Sequence, residues 1–112
     1  MFLTESKYRE DEDSTVTHNS VEYSINKILS TVDNKNVVEI DVSKLIWVFE
    51  YDNPRIDRIK KANIKYPIIA VEDNNELVAI DGLHRLAKMY LLDIKKAKCK
   101  MITTEELQSC MI

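Results

Sequence analysis

Asp81-Gly82-Leu83-His84-Arg85, with Lys88 following, carries the densest chemistry in the chain. A carboxylate, an imidazole, a guanidinium and an ammonium so close together can hold a phosphate group or exchange a proton. Gly82 is the only glycine among 112 residues, and glycine accepts backbone angles and close ligand approach that a side chain forbids. Leu77 to Ile80 before it is β-rich, whereas Leu83, Leu86, Ala87, Tyr90 and Leu91 after it recur at helical spacing. The corner is therefore expected at a strand-to-helix junction, with Asp81 capping the helix. His84, Arg85 and Lys88 are expected off the buried stripe. Helix N-termini present unpaired N–H groups and a positive partial charge, so a bound anion would offset the cost of cations placed there.

The elements that must position this corner can be read from period and turn chemistry. Residues 1–18 are polar, with the acidic run Glu10-Asp11-Glu12-Asp13, and are expected to form a mobile arm ahead of a single domain over 19–112. Asn19 and Glu22 have capping-box spacing, and Val21, Ile25, Ile28, Leu29 and Val32 would share one face of the helix that follows. Val37 to Val42 alternates as a half-buried strand, with Glu39 and Asp41 on its solvent side. Leu45 to Phe49 is continuously apolar and contains the one tryptophan, Trp47; its period fits strand or helix. Asn53-Pro54 predicts a helix start, with Ile56 and Ile59 inward and Arg55, Arg58, Lys60 and Lys61 mostly outward. Pro67 opens a strand over Ile68 to Val71, and Asp73-Asn74-Asn75 turns it back into Leu77 to Ile80. Ala97 to Ile102 alternates with Cys99 inward, and Thr103 with Glu106 caps a short last helix. Cys110, near the end, is expected to be the more reactive thiol. The order predicts a compact α+β domain, a mixed sheet with flanking helices.

Composition narrows the function classes. The hydrophobic fraction of 45% supports a core, and the 31% of charged residues keep it wettable. Residues 1–50 hold 5 Lys and Arg against 10 Asp and Glu, whereas residues 51–112 hold 11 against 9. With a pI near 5.4, general nucleic-acid binding is disfavoured, while a local cationic pocket for a small phosphorylated ligand is not. Cys99 and Cys110 have neither the spacing nor the histidine neighbours of a zinc site, so no protein-held metal is expected. No apolar run reaches the length of a membrane span, and a cytoplasmic setting is expected.

Ile80-Asp81-Gly82-Leu83-His84-Arg85-Leu86-Ala87-Lys88 resembles the D-G-x-H-R-x-x-A signature of the ParB/sulfiredoxin superfamily. The likeness extends over roughly Val37 to Thr104, through Lys44-Leu45 and Tyr66-Pro67-Ile68-Ile69-Ala70-Val71. It implies a sulfiredoxin-like domain whose corner binds a nucleotide, ATP or CTP, with Mg2+ riding on the phosphates. It implies phosphate contacts from Gly82, Leu83, His84, Arg85 and Lys88, and a phosphotransferase or hydrolase role for Asp81, His84 and Glu50. Sulfiredoxins carry a cysteine directly before the His-Arg pair where this chain has Leu83, so their chemistry is not expected. The helix-turn-helix domain of partition-type ParB proteins has no counterpart here, and the chain is read as a stand-alone domain. Two other readings follow from the family: an interaction module of viral or mobile-element type acting on a host protein, and a nuclease, which the low pI weakens.

Overall fold

The structure is a computed structural model that describes residues 15–112; most of the expected acidic arm lies outside the described residues. The described residues form six strands and four helices: β1 (Thr15–His18), β2 (Val21–Ser24), α1 (Ile25–Val32), β3 (Val38–Asp41), α2 (Ile56–Lys61), β4 (Ile68–Asp73), β5 (Glu76–Asp81), α3 (Leu83–Leu91), β6 (Lys96–Ile102) and α4 (Thr104–Gln108). Two 3-10 turns, Val42–Lys44 and Ile46–Glu50, settle the ambiguous apolar stretch as helical. This is the expected α+β class.

The main sheet has the order β3-β6-β4-β5, with β4 and β6 parallel and the other pairs antiparallel. Both of its faces are covered. Ile69, Val71, Val78, Ile80 and Ile102 pack with Ile28 and Val32 of α1 and Leu107 of α4. Ile68, Ala70, Ala79, Ala97 and Cys99 pack on the other side with Leu86 and Met89 of α3 and with Val42, Leu45 and Val48. Ile68 to Val71 therefore runs apolar without alternation because each side chain meets a core. The β4–β5 turn falls where expected, with Asn74 and Asn75 at φ of 52° and 64°, as a two-residue hairpin turn requires. The Thr103–Glu106 capping box is also present, its two hydrogen bonds each 3.0 Å long.

Three expectations are corrected. The helix foreseen from Asn19 begins at Ile25 instead, capped by the Ser24 hydroxyl, which accepts from the Lys27 N–H at 3.2 Å. Asn19 and Ser20, at φ of 53° and 67°, form the turn of a second hairpin, β1–β2. Thr15–His18 is thus a strand rather than part of an arm, and Val21 belongs to β2. The C-terminal residues dock on this hairpin: the Ser24 N–H donates to the Cys110 carbonyl at 2.8 Å, and the Ile112 N–H to that of Glu22 at 3.2 Å. That docking buries Cys110, where a reactive thiol was expected.

A further correction concerns α2, which starts at Ile56 and not at Asn53-Pro54. Arg55 is extended (φ −86°, ψ 133°), and its N–H donates to His84 Nε2 at 3.1 Å. A tertiary hydrogen bond holds this segment straight and overrides a good local start signal. Ile56, expected inward, is exposed in consequence.

Cys99 is fully buried, as its alternation predicts, and burial pushes its thiol up from 9.0 to about 11. Both cysteines should therefore react slowly with a thiol reagent in the native chain and rapidly in urea. In the unfolded chain the Cys99 proton leaves near pH 9, so its contribution to stability is full below that pH. It should be lost as pH rises towards 11, a decline of order a few kcal/mol that Cys99→Ala would remove. Urea unfolding between pH 8 and 11 measures it.

Candidate functional site: a strand-to-helix corner on a cleft

The corner is built on a backbone conformation. β5 pairs with β4 in register from Asp73–Glu76 to Ala70–Ala79, then shifts by one residue to Ile69–Asp81. Such a bulge re-aims the chain at the end of a strand. Gly82 follows in the left-handed region (φ 98°, ψ 25°) and α3 begins at once. A Cβ on Gly82 would lie 3.1 Å from Ile68 Cγ1 and 3.3 Å from Ile68 Cα, so both dihedral and space require glycine. Gly82, and not Asp81, is the N-cap residue, and no side chain caps the helix.

The register of α3 differs from the expected stripe. Leu86 and Ala87 are buried as foreseen, but Arg85 and Met89 join them, while Tyr90 and Leu91 point outward, Leu91 at 69% exposure. Arg85 is 2% exposed. One guanidinium nitrogen donates to the Pro67 carbonyl at 2.8 Å, and its carbon lies 5.6 Å from the Tyr66 ring centroid, a cation–π distance. The helix ends in a Schellman motif: Ile94 N–H to the Met89 carbonyl (2.9 Å) and Asp93 N–H to that of Tyr90 (3.1 Å), with Asp93 at φ 60°. This firm ending fixes which face turns inward.

A cleft of about 1010 Å³ opens at the corner. One wall is Val78 to Asp81 along β5, continuing through Gly82, Leu83, His84 and Arg85. The opposite sides are β1 with Asn19, the segment carrying Trp47, Val48, Tyr51 and Asp52, and Arg58 from α2. The structure thus brings Asp81, Gly82, Leu83, His84 and Arg85 together on one cavity. It does not bring in Glu50 or Lys88. Glu50 is exposed at the end of its 3-10 turn, and two residues on, Asp52 lines the cleft. Lys88 donates to the Lys60 carbonyl at 3.0 Å and the Ala62 carbonyl at 2.8 Å, capping the C-terminus of α2.

His84 accepts from the Arg55 N–H through Nε2, so its proton sits on Nδ1 and the imidazole ties α2's leading segment to the corner. Among the described residues no group of three His, Cys, Asp or Glu could hold a metal ion. Asp41, on the solvent side of β3, is bound to Lys96 at 2.7 Å, which holds its carboxyl below the usual range.

Sequence reasoning passed over several cleft residues. Arg58 was assigned to a solvated face and His18 to the arm. His18 does have a companion, since its Nε2 meets Asp73 Oδ2 at 3.1 Å. The alternation Thr15-Val16-Thr17-His18 ahead of Asn19-Ser20, two residues tolerant of positive φ, was the signal that could have placed it on a hairpin.

The solved structure of sulfiredoxin from Arabidopsis thaliana matches with a TM-score of 0.50 at 19% identity, covering 66% of this chain and 94% of that one. The chain has a sulfiredoxin-like fold. No protein-family model and no curated protein matches its sequence. The fold likeness agrees with the resemblance carried by the corner motif, and among the described residues no helix is long and apolar enough to cross a membrane.

Arg85, expected off the buried stripe, is buried instead, so its loss bears on folding. Arg85→Ala strands the Pro67 carbonyl and leaves a cavity beside Tyr66, and should cost about 2–4 kcal/mol. Gly82→Ala should cost about 1–3 kcal/mol through strain at positive φ and the approach to Ile68. Urea unfolding of both variants against wild type provides the check.

Proposed function

We propose that the cleft binds a phosphorylated small molecule of the nucleotide class, ATP or CTP, with a phosphate group at the start of α3. The observation that carries this reading is the helix start itself: α3 has no side-chain cap and opens from Gly82 onto a cleft that Arg58 and Arg85 also line. First-turn N–H groups and the helix dipole favour an anion there. A guanidinium adds a planar, forked donor suited to phosphate oxygens. The cleft is also as large as ligand pockets generally are, roughly 300–1,000 Å³.

The residues fit Mg2+ only through the nucleotide. Among the described residues Asp52 and Asp81 are the carboxylates lining the cleft, and Mg2+ commonly keeps its waters and is held by one or two carboxylates plus phosphate oxygens. When bound, the ion would neutralise phosphate charge. Phosphotransfer or hydrolysis would draw on those two carboxylates rather than on His84, whose Nε2 is already an acceptor for Arg55. Binding is therefore the reading with the firmer support. A second reading, a stand-alone interaction module, draws on the exposed run Tyr90-Leu91-Leu92.

Calorimetry and thermal shift with ATP, CTP, GTP and their diphosphates, with and without Mg2+, test the proposal. At a hundredfold excess over Kd, a ligand should raise stability by about 2.7 kcal/mol. Arg58→Ala should weaken binding about tenfold or more, and urea unfolding of the same variant separates a lost ligand contact from lost stability. Failure of every phosphorylated ligand to bind wild type would remove the proposal and favour the interaction module.

A further inference from the structure

The cleft has a second end that the phosphate reading leaves unused. Asp73 pairs with Glu76 at the turn of the β4–β5 hairpin, while Asp81 lies at the far end of β5. At ~3.3 Å per residue these ends are roughly 17 Å apart. His18 sits at the Asp73 end with its side chain 15% exposed. That separation excludes His18 from acting on a phosphate held at α3, but suits the other end of a long ligand.

The polar arrangement at this end is specific. Asp73 Oδ2 receives hydrogen bonds from His18 Nε2 and from the Asn19 amide, each 3.1 Å long. A carboxylate is an acceptor, so the bond requires the proton on Nε2. Nδ1 is then left as the acceptor of the neutral ring, and it makes no hydrogen bond among the described residues. Trp47 lines the same cleft, and its indole is fixed by a 2.9 Å hydrogen bond from Nε1 to the Leu77 carbonyl, beside the same hairpin turn. A clamped aromatic ring and an oriented acceptor are what a flat heteroaromatic group bearing an N–H donor requires.

We propose that Trp47 and His18 form a nucleobase subsite: the base stacks on Trp47, and an exocyclic amino group, as on adenine or cytosine, donates to His18 Nδ1. Asp73 is the positioning residue that fixes the ring and its tautomer. The inference rests on the phosphate reading for the ligand's other end, and its test separates the two.

Trp47 is the only tryptophan, so fluorescence excited beyond the absorption of the tyrosines reports on this end of the cleft. The full chain is titrated with ATP, inosine triphosphate, adenosine and tripolyphosphate at matched ionic strength, with calorimetry for affinities. The expected result is quenching by ATP and adenosine but not by tripolyphosphate, and ATP binding about tenfold tighter than inosine triphosphate, which has a carbonyl in place of the amino group. His18→Ala should abolish that preference and leave tripolyphosphate binding unchanged. Asp73→Asn turns the partner of Nε2 into a group able to donate, moving the ring proton to Nδ1, and should also abolish it. Equal affinity for ATP and tripolyphosphate would overturn the subsite while leaving the phosphate reading intact. Equal weakening of both by His18→Ala would likewise overturn it, by showing a structural role. Adenosine binding without tripolyphosphate binding would support the subsite and overturn the phosphate reading.

Discussion

Gly82 against Ile68 is the close approach on which the site depends. Only a residue without a Cβ can hold φ near +98° with backbone and side-chain atoms of β4 just over 3 Å from where that Cβ would be. That approach lets the chain leave β5 and begin α3 with no intervening loop. It points the helix start at the cleft and sets the rotation at which α3 meets the sheet. The rest of the corner inherits its geometry from this junction: Arg85 turns inward, His84 reaches Arg55, and Lys88 reaches the end of α2.

The cations of the corner divide the labour in a way their types alone do not reveal. Lys88 neutralises the carbonyl end of α2, a place where a cation is favourable. Arg85 is clamped beneath Tyr66 and Pro67, which ordinarily would be costly for a charge but here comes with a hydrogen bond and an aromatic face. Arg58, less buried than Arg85, is the second guanidinium that lines the cleft.

Much of the main sheet was legible in the sequence because its signals are local. Asn74-Asn75 suits a turn that needs positive φ at both positions, Thr103 and Glu106 complete their own capping box, and the lone glycine marks the tight corner. The N-terminal hairpin was misread because Val21, Ile25, Ile28, Leu29 and Val32 satisfy a helical period even though the first of them is a strand residue. What decides that region is non-local: pairing of β2 with the chain's C-terminal residues, and the Asp73 bond to His18. The start of α2 failed for the same reason, since the His84 bond to Arg55 lies 29 residues away in sequence. On α3 the apolar residues outnumber the places on the buried face, so period alone could not say that Arg85 goes in and Leu91 stays out. For the site, the corner motif was legible but the opposite wall, with Arg58, Trp47 and His18, came from segments whose pairing no local pattern encodes.

The central claim is that the first turn of α3 receives an anion, and backbone amide chemical shifts test it at the atoms concerned. In a titration with inorganic phosphate followed by 1H–15N correlation spectra, the amides of Leu83, His84 and Arg85 should move together and saturably, with the side-chain N–H of Arg58, while the amides of α1 and α4 stay in place. Shifts that are absent from that turn, or that rise linearly with phosphate and spread over the exposed lysines, would contradict it.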